Sequence, residues 1–314
     1  MLLWVTEGDI NQLEGERAIM NPSRKYRAPQ FTRTAVAGST IAVSRYRQPW
    51  SVALVMLLLL SLAPFAMAQT STTTESFEPE VGQAGKDVVW VPTSQVLVEK
   101  MLDIAKVTPQ DYLIDLGSGD GRTVITAAKR GLKAHGIEYN PDMVALSQRN
   151  AAQAGMTARA TFAKADLFES DFSTATVITM FLLPSINEKL RPKILELKPG
   201  TRIVSNTFTM GDWRSDDSVT VGEGCANWCT ALLWIVPAKA AGVWQLGNQP
   251  LTLTQAFQMV SGTLGSAEIT GGRLTGNAIT FTVNGTRYNG TVDGKTMKGT
   301  STGGSGGSWS AVQK

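Results

Sequence analysis

The junction that most constrains this chain is a short buried-strand pattern, residues 112–116 (Tyr-Leu-Ile-Asp-Leu), followed at once by glycines at 117, 119 and 121 and then by a helical pattern over 123–130. Glycine lets the backbone turn where a Cβ would block it. A strand that bends directly into a helix is the opening half of a strand–helix–strand unit, whose second strand lies parallel to the first.

The alternation continues along the chain. The spacing predicts a strand over 134–138, a helix over 141–154 ended by Gly155, and strands over 160–164 and 176–181. A helix over 186–197 follows, stopped by Pro199-Gly200, then a strand over 202–207 and a last one over 231–236, with 218–221 as its hairpin partner. Ahead of the junction, Val96, Leu97, Met101, Leu102 and Ala105 predict a helix over 94–105 behind a Thr93/Ser94 cap. Strands alternating with helices imply right-handed crossovers and a sheet covered on both faces. The expectation is an α/β domain over 88–240 with a Rossmann-like, doubly wound, mostly parallel sheet.

After Pro237 the grammar changes. Apolar and polar residues alternate (Leu251, Leu253; Ile279, Phe281, Val283), broken by glycine pairs and by Asn284-Gly285 and Asn289-Gly290, which read as turns. Residues 241–314 are expected to form a small all-β C-terminal module, an antiparallel meander or small barrel ending near Trp309.

At the other end, the apolar run 50–68 follows Arg45 and Arg47 and closes on Ala66-Met67-Ala68, the small-residue pattern of a secretory signal cut before Gln69. Residues 1–68 are therefore expected to be an extension plus signal peptide, with Met20 opening a shorter basic leader, and the protein to be exported, into a periplasm. The alternative is an uncleaved anchor, because about 18 apolar residues nearly span a bilayer. The Thr/Glu/Gly-rich stretch 69–87 reads as a flexible linker.

The first 68 residues hold seven of the 29 Lys and Arg and four of the 26 Asp and Glu, leaving 22 of each sign. A neutral remainder is not the clustered basic surface of a nucleic-acid binder, and no such partner is expected. Cys225 and Cys229 are the only cysteines and His135 the only histidine, so no metal site is expected. The pair can close a small disulfide loop in an oxidising compartment, or remain as core thiols.

The motif Asp115-Leu116-Gly117-Ser118-Gly119-Asp120-Gly121-Arg122 carries the chemistry. A dinucleotide fold uses G-x-G-x-x-G against a pyrophosphate; here the spacing is G-x-G-x-G behind an acid. A carboxylate at the strand end repels a pyrophosphate and suits an ammonium, which favours S-adenosylmethionine over NAD. Glu138, with Tyr139 beside it, ends the next strand 17 positions after Gly121, where a carboxylate can accept both ribose hydroxyls of a nucleoside. At the end of the third strand Asp166 can accept an adenine amino group, with Leu167 or Phe168 packed on the ring. At the fourth, Phe181-Leu182-Leu183-Pro184 lacks a polar hook for an exocyclic base amine. No residue presents itself as a catalytic base.

Residues 88–213 resemble class I S-adenosylmethionine-dependent methyltransferases. Val91-Pro92-Thr93, the 115–122 motif, Glu138-Tyr139-Asn140-Pro141 and the region from Leu190 to Trp213 are similar to the small single-domain group that includes mitochondrial protein-lysine methyltransferases. The resemblance implies a seven-stranded sheet with Asp115, Gly117, Gly119, Glu138 and Asp166 at the cofactor, and a protein side chain such as lysine as acceptor. The signal, the cysteine pair and the β module depart from that group. Because the donor is made in the cytosol, the alternative is a non-catalytic exported binding protein that retains the fold.

Overall fold

The computed structural model describes residues 77–304 and 306–314. The apolar run 50–68, its leader and the first part of the expected linker lie outside the described residues.

Five parallel strands form the heart of the first sheet: β1 (Tyr112–Leu116), β2 (Lys133–Glu138), β3 (Ala160–Lys164), β4 (Val177–Met180) and β5 (Arg202–Asn206). β6 (Asp217–Thr220) and β7 (Thr230–Ile235) extend it as an antiparallel pair, giving the order β3-β2-β1-β4-β5-β7-β6. Helices α1 (Gln95–Ile104), α2 (Arg122–Lys129), α3 (Pro141–Gln153) and α4 (Pro184–Ile194) cover the faces. Leu113 and Ile114, neighbours on β1, enter different clusters, the first with Leu97 of α1 and Val124 of α2, the second with Ile186 and Leu190 of α4. Both faces are thus apolar and covered, as a parallel sheet requires. The chain runs outward through β2 and β3, then returns to start β4 on the other side of β1, so a crevice opens at the carboxyl ends of β1 and β4.

Local signals explain the element ends. Asn140 Oδ1 accepts the Asp142 amide at 2.9 Å and Pro141 is the first residue of α3. α4 begins two residues before the apolar periodicity, because Pro184 presets the helical φ, and ends at Ile194 instead of reaching Leu197. The Ser94 hydroxyl does not cap α1; it donates to Gly224 O at 3.0 Å.

The C-terminal strands close on themselves. β8 (Gly242–Leu246), β9 (Gln249–Ala256), β10 (Met259–Leu264), β12 (Thr270–Thr275), β13 (Ala278–Val283), β14 (Thr286–Asp293), β15 (Thr296–Thr302) and β16 (Gly307–Gln313) pair antiparallel, and the β9–β10 ladder completes a barrel, with the two-residue β11 (Ala267–Glu268) outside on β10. Trp244, Leu274, Ile279, Phe281 and Trp309 fill the interior. Asn284 and Gly285, both left-handed, make the tight turn between β13 and β14. Asn289-Gly290 does not turn: both pair within β14, and a Cβ at Gly290 would meet Trp309 Cζ2 at 2.4 Å, so the glycine makes room for the ring.

The barrel is joined to the first sheet by polar and aromatic contacts. Arg273 Nη2 pairs with Asp216 at 2.5 Å, Gln258 Nε2 donates to Arg214 O at 2.8 Å, and Phe257 stacks on Trp213 with ring centroids 5.7 Å apart. Among the described residues no helix is long and apolar enough to cross a membrane.

Candidate functional site

The site grows from the bend after β1. Gly117, Gly119 and Gly121 all have left-handed φ, +78°, +53° and +83°. The Gly117 and Ser118 amides donate to Ile137 O, at 2.9 and 3.1 Å, folding the bend over the end of β2. A Cβ at Gly119 would meet Trp90 Nε1 at 2.7 Å. A glycine on β2, two residues before Glu138, completes the arrangement: a Cβ at Gly136 would lie 2.5 Å from Ser118 Oγ, so the side-chain-free position lets Ser118 seat against it.

Eight of the nine expected residues, Asp115, Gly117, Ser118, Gly119, Glu138, Tyr139, Asp166 and Leu167, line one cleft at the crevice. Gly121 does not. It is the residue before α2, and a Cβ there would meet Phe162 and Ser147, each at 2.8 Å, so it serves helix–sheet packing rather than the cleft wall.

Three carboxylates tip three strands or the turns after them. Asp115 is buried, 6% exposed, and its Oδ1 accepts the Thr179 hydroxyl at 2.7 Å. Burial, with the neighbouring charges of Glu138 and Asp120, pushes its carboxyl up to about 7 against the opposing Thr179 hydrogen bond. Glu138 is held on both sides: Oε2 accepts the Gly119 amide at 3.0 Å and Oε1 the Asn140 amide at 2.9 Å. Each oxygen keeps a second lone pair for a ligand hydroxyl. Asp166 Oδ1 accepts the Phe168 amide at 2.9 Å, and its other oxygen pairs with Lys86. The Lys86 hydrogen bond holds the Asp166 carboxyl below the usual range.

Lys86 lies in the stretch read as flexible linker. From Phe77 onward that stretch is folded: the Gly82 amide donates to Trp90 O, Ala84 bridges Val89, and Gln83 to Val91 line the cleft. Lys86 Nζ also stands 4.9 Å from the Tyr139 ring centroid, so its single cation touches two of the expected residues. The segment is polar because it roofs a cleft, and only its Gly82 and Gly85 hinted at a tight turn.

The remaining wall is apolar, formed by Met180, Phe181, Leu182 and Ile186. Two carboxylates near a backbone cradle of glycines, with the buried Ser118 hydroxyl unpaired within the chain, fit a ligand that is cationic at one end and hydroxylated in the middle. Among the described residues no three His, Cys, Asp or Glu side chains converge as a metal site.

A family model described as "ANTKMT methyltransferase domain" matches residues 115–217. A protein-lysine N-methyltransferase of Saccharolobus islandicus is 45% identical over 152 residues, covering 48% of this chain and 94% of that protein. The adenine nucleotide translocase lysine N-methyltransferase of Mus musculus is 36% identical over 157 residues, 49% of this chain and 65% of the mouse protein. A solved structure described as an RNA methyltransferase from Salinibacter ruber, in complex with S-adenosylhomocysteine, is 45% identical, covers 48% of this chain and 96% of its own, and has a TM-score of 0.45. The chain belongs to the class I S-adenosylmethionine-dependent methyltransferases, in the protein-lysine N-methyltransferase-like group, and S-adenosylmethionine is its cofactor.

Proposed function

We propose that this enzyme methylates the ε-amine of a lysine in a protein acceptor, and that Asp115, Gly117, Ser118, Gly119, Glu138, Tyr139, Asp166 and Leu167 hold the cofactor. The carrying observation is the pairing of buried Asp115 with backbone-anchored Glu138 across the glycine bend. Asp115 faces the amino-acid ammonium, Glu138 takes the ribose hydroxyls, and Asp166 takes the adenine amine while Leu167 and Tyr139 flank the ring. Gly121 supports the bend from behind. The named lysine-methylating relatives support the acceptor class.

When bound, S-adenosylmethionine would supply a methyl on a sulfonium, a good leaving group for attack by a neutral amine. The chain's own task is orientation and exclusion of water. Met180, Leu182 and Ile186 place apolar surface at the point of transfer, which lowers the pKa of an entering lysine and eases loss of its proton to water before attack. No side-chain base is required for that.

Export to a periplasm through the 50–68 run, with cleavage before Gln69, is part of the same reading. The Cys225–Cys229 disulfide supports it, because such bonds persist in oxidising compartments. The alternative is anchoring by the uncleaved run; N-terminal sequencing of the mature protein from fractionated cells distinguishes the two.

The acceptor is tested with the full chain, a labelled-methyl donor and fractionated envelope proteins, followed by acid hydrolysis. Label is expected in methylated lysines. Label confined to another amino acid or to RNA overturns the acceptor reading.

A further inference from the structure

Beyond the cofactor cleft, three aromatic rings from three separate elements meet at its apolar end. Phe181, which lines the cleft just after β4, stacks on Phe208 with ring centroids 5.8 Å apart and interplanar angle 18°, and meets Trp228 at 5.9 Å and 58°. None of the three belongs to the buried core; all are half-buried, unlike Trp213 and Trp234, which are 0% exposed. Among the described residues, the cation–ring contacts use Tyr139, Phe168, Phe172 and Phe257 instead.

The backbone is strained to present two of these rings. Thr207 adopts φ +59° and Trp228 φ +51°; for a β-branched residue or a bulky ring that conformation is an outlier, and it persists only where surroundings enforce it. At Thr207 the enforcement is a 2.7 Å bond from its amide to Thr230 O and a 3.0 Å bond from its hydroxyl to Asn206 Oδ1. The next residue, Phe208, is then held through its carbonyl by buried Asn187 Nδ2 at 3.3 Å. At Trp228 the enforcement is covalent: the residue lies inside the Cys225–Cys229 loop, which Ser94 Oγ pins through Gly224 O.

We propose that Phe181, Phe208 and Trp228 form the acceptor subsite, receiving the ammonium or methylammonium head of the incoming side chain on their ring faces, with the disulfide holding Trp228 in place. Ring faces attract cations, most strongly at Trp, and the rings share Phe181 with the cofactor cleft, where a methyl would be handed over. The subsite rests on the lysine reading above.

Its test uses the full chain saturated with S-adenosylhomocysteine. The probes are the ε-trimethylated form of Nα-acetyl-lysine methylamide and the uncharged norleucine analogue, followed by saturation-transfer NMR. The cationic probe is expected to bind, and the norleucine analogue at least about fivefold more weakly. Trp228→Leu and Phe208→Leu are expected to weaken the cationic probe by about fivefold, with Trp228→Phe retaining most of the affinity. Calorimetric affinity for S-adenosylhomocysteine stays unchanged in all three, which shows that they fold. Equal binding of the cation by native and leucine variants, or of the two probes by the native chain, overturns the subsite. The two readings fail separately: cation binding with no labelled lysine sinks the acceptor, and labelled lysine with no cation preference sinks the subsite.

Discussion

The Thr179 hydroxyl donates to Asp115 Oδ1 at 2.7 Å across the seam between β1 and β4, where the two residues are register partners and both are buried. Threonine here gives a buried carboxylate one neutral donor and no cation, which suits the proposed role of Asp115 opposite the cofactor's ammonium. Burial raises that carboxyl from 3.8 to about 7.

That fixes a pH dependence. Between about pH 4 and 7 the folded chain keeps a proton on Asp115 that the unfolded chain has lost, so stability falls as pH rises through this window and levels off above it. The fall is on the order of 4 kcal/mol, from about 1.4 kcal/mol for each pKa unit. Because a cofactor ammonium pairs with the ionised form, affinity is expected to rise about tenfold from pH 6 to pH 8. Asp115→Asn should reduce the slope of both profiles, read by denaturant titration and calorimetry, leaving in the stability profile what Asp216 and His135 contribute; slopes equal to the native ones contradict the assignment.

Lys86 bridges Asp166 and the Tyr139 ring, so Lys86→Met should remove the charge while keeping the covering chain. The pair is solvent-exposed, and its loss is expected to weaken S-adenosylhomocysteine by only about two- to fivefold, through faster dissociation. Raising salt should narrow the gap between native and variant in stopped-flow release. A gap that widens with salt would show that Lys86 acts otherwise.

Gly119 and Gly121 separate binding from folding. Gly121→Ala places a Cβ against Phe162 and Ser147 away from the cleft, with φ at +83°, and is expected to cost about 1–3 kcal/mol of stability. Gly119→Ala intrudes on Trp90 at the cleft itself and should lose the larger share of cofactor affinity. Thermal unfolding with and without S-adenosylhomocysteine gives both quantities, and a reversed order of the affinity losses would refute the placement.

The disulfide closes a loop across a sequence separation of 4. Replacing both Cys225 and Cys229 by Ser should lower stability by about 2 kcal/mol on the chain-entropy account. Cofactor affinity should hold while apparent KM for the protein acceptor rises several-fold as Trp228 is released. An unchanged KM would mean the loop positions nothing.

Much of the first sheet was legible in the chain because its signals are local. The glycine bend, the acid ending β2 and the Asn140-Pro141 helix start each state their geometry within a few residues, and β1 to β5 stand within a residue or two of their expected bounds. Asn289-Gly290 misled because a turn dipeptide and a strand glycine under a tryptophan look alike until Trp309 arrives from β16. Lys86 was hidden for a similar reason: a polar stretch has the same composition whether water or a polar cleft covers it.

By itself the sequence determined what neighbours along the chain can decide: the period of each element, the left-handed bend after β1, and the acids that tip the strands. Only the tertiary structure decided which of those groups face one another. Closing the order β3-β2-β1-β4-β5 set Asp115 beside Thr179 and took it out of water, laid residues 83–91 over the cleft, and drew Phe181, Phe208 and Trp228 together. The physical reason is range. Backbone bends and helix caps are settled by atoms a few bonds apart, whereas burial, charge pairing and ring contact depend on segments joined only when the sheet closes.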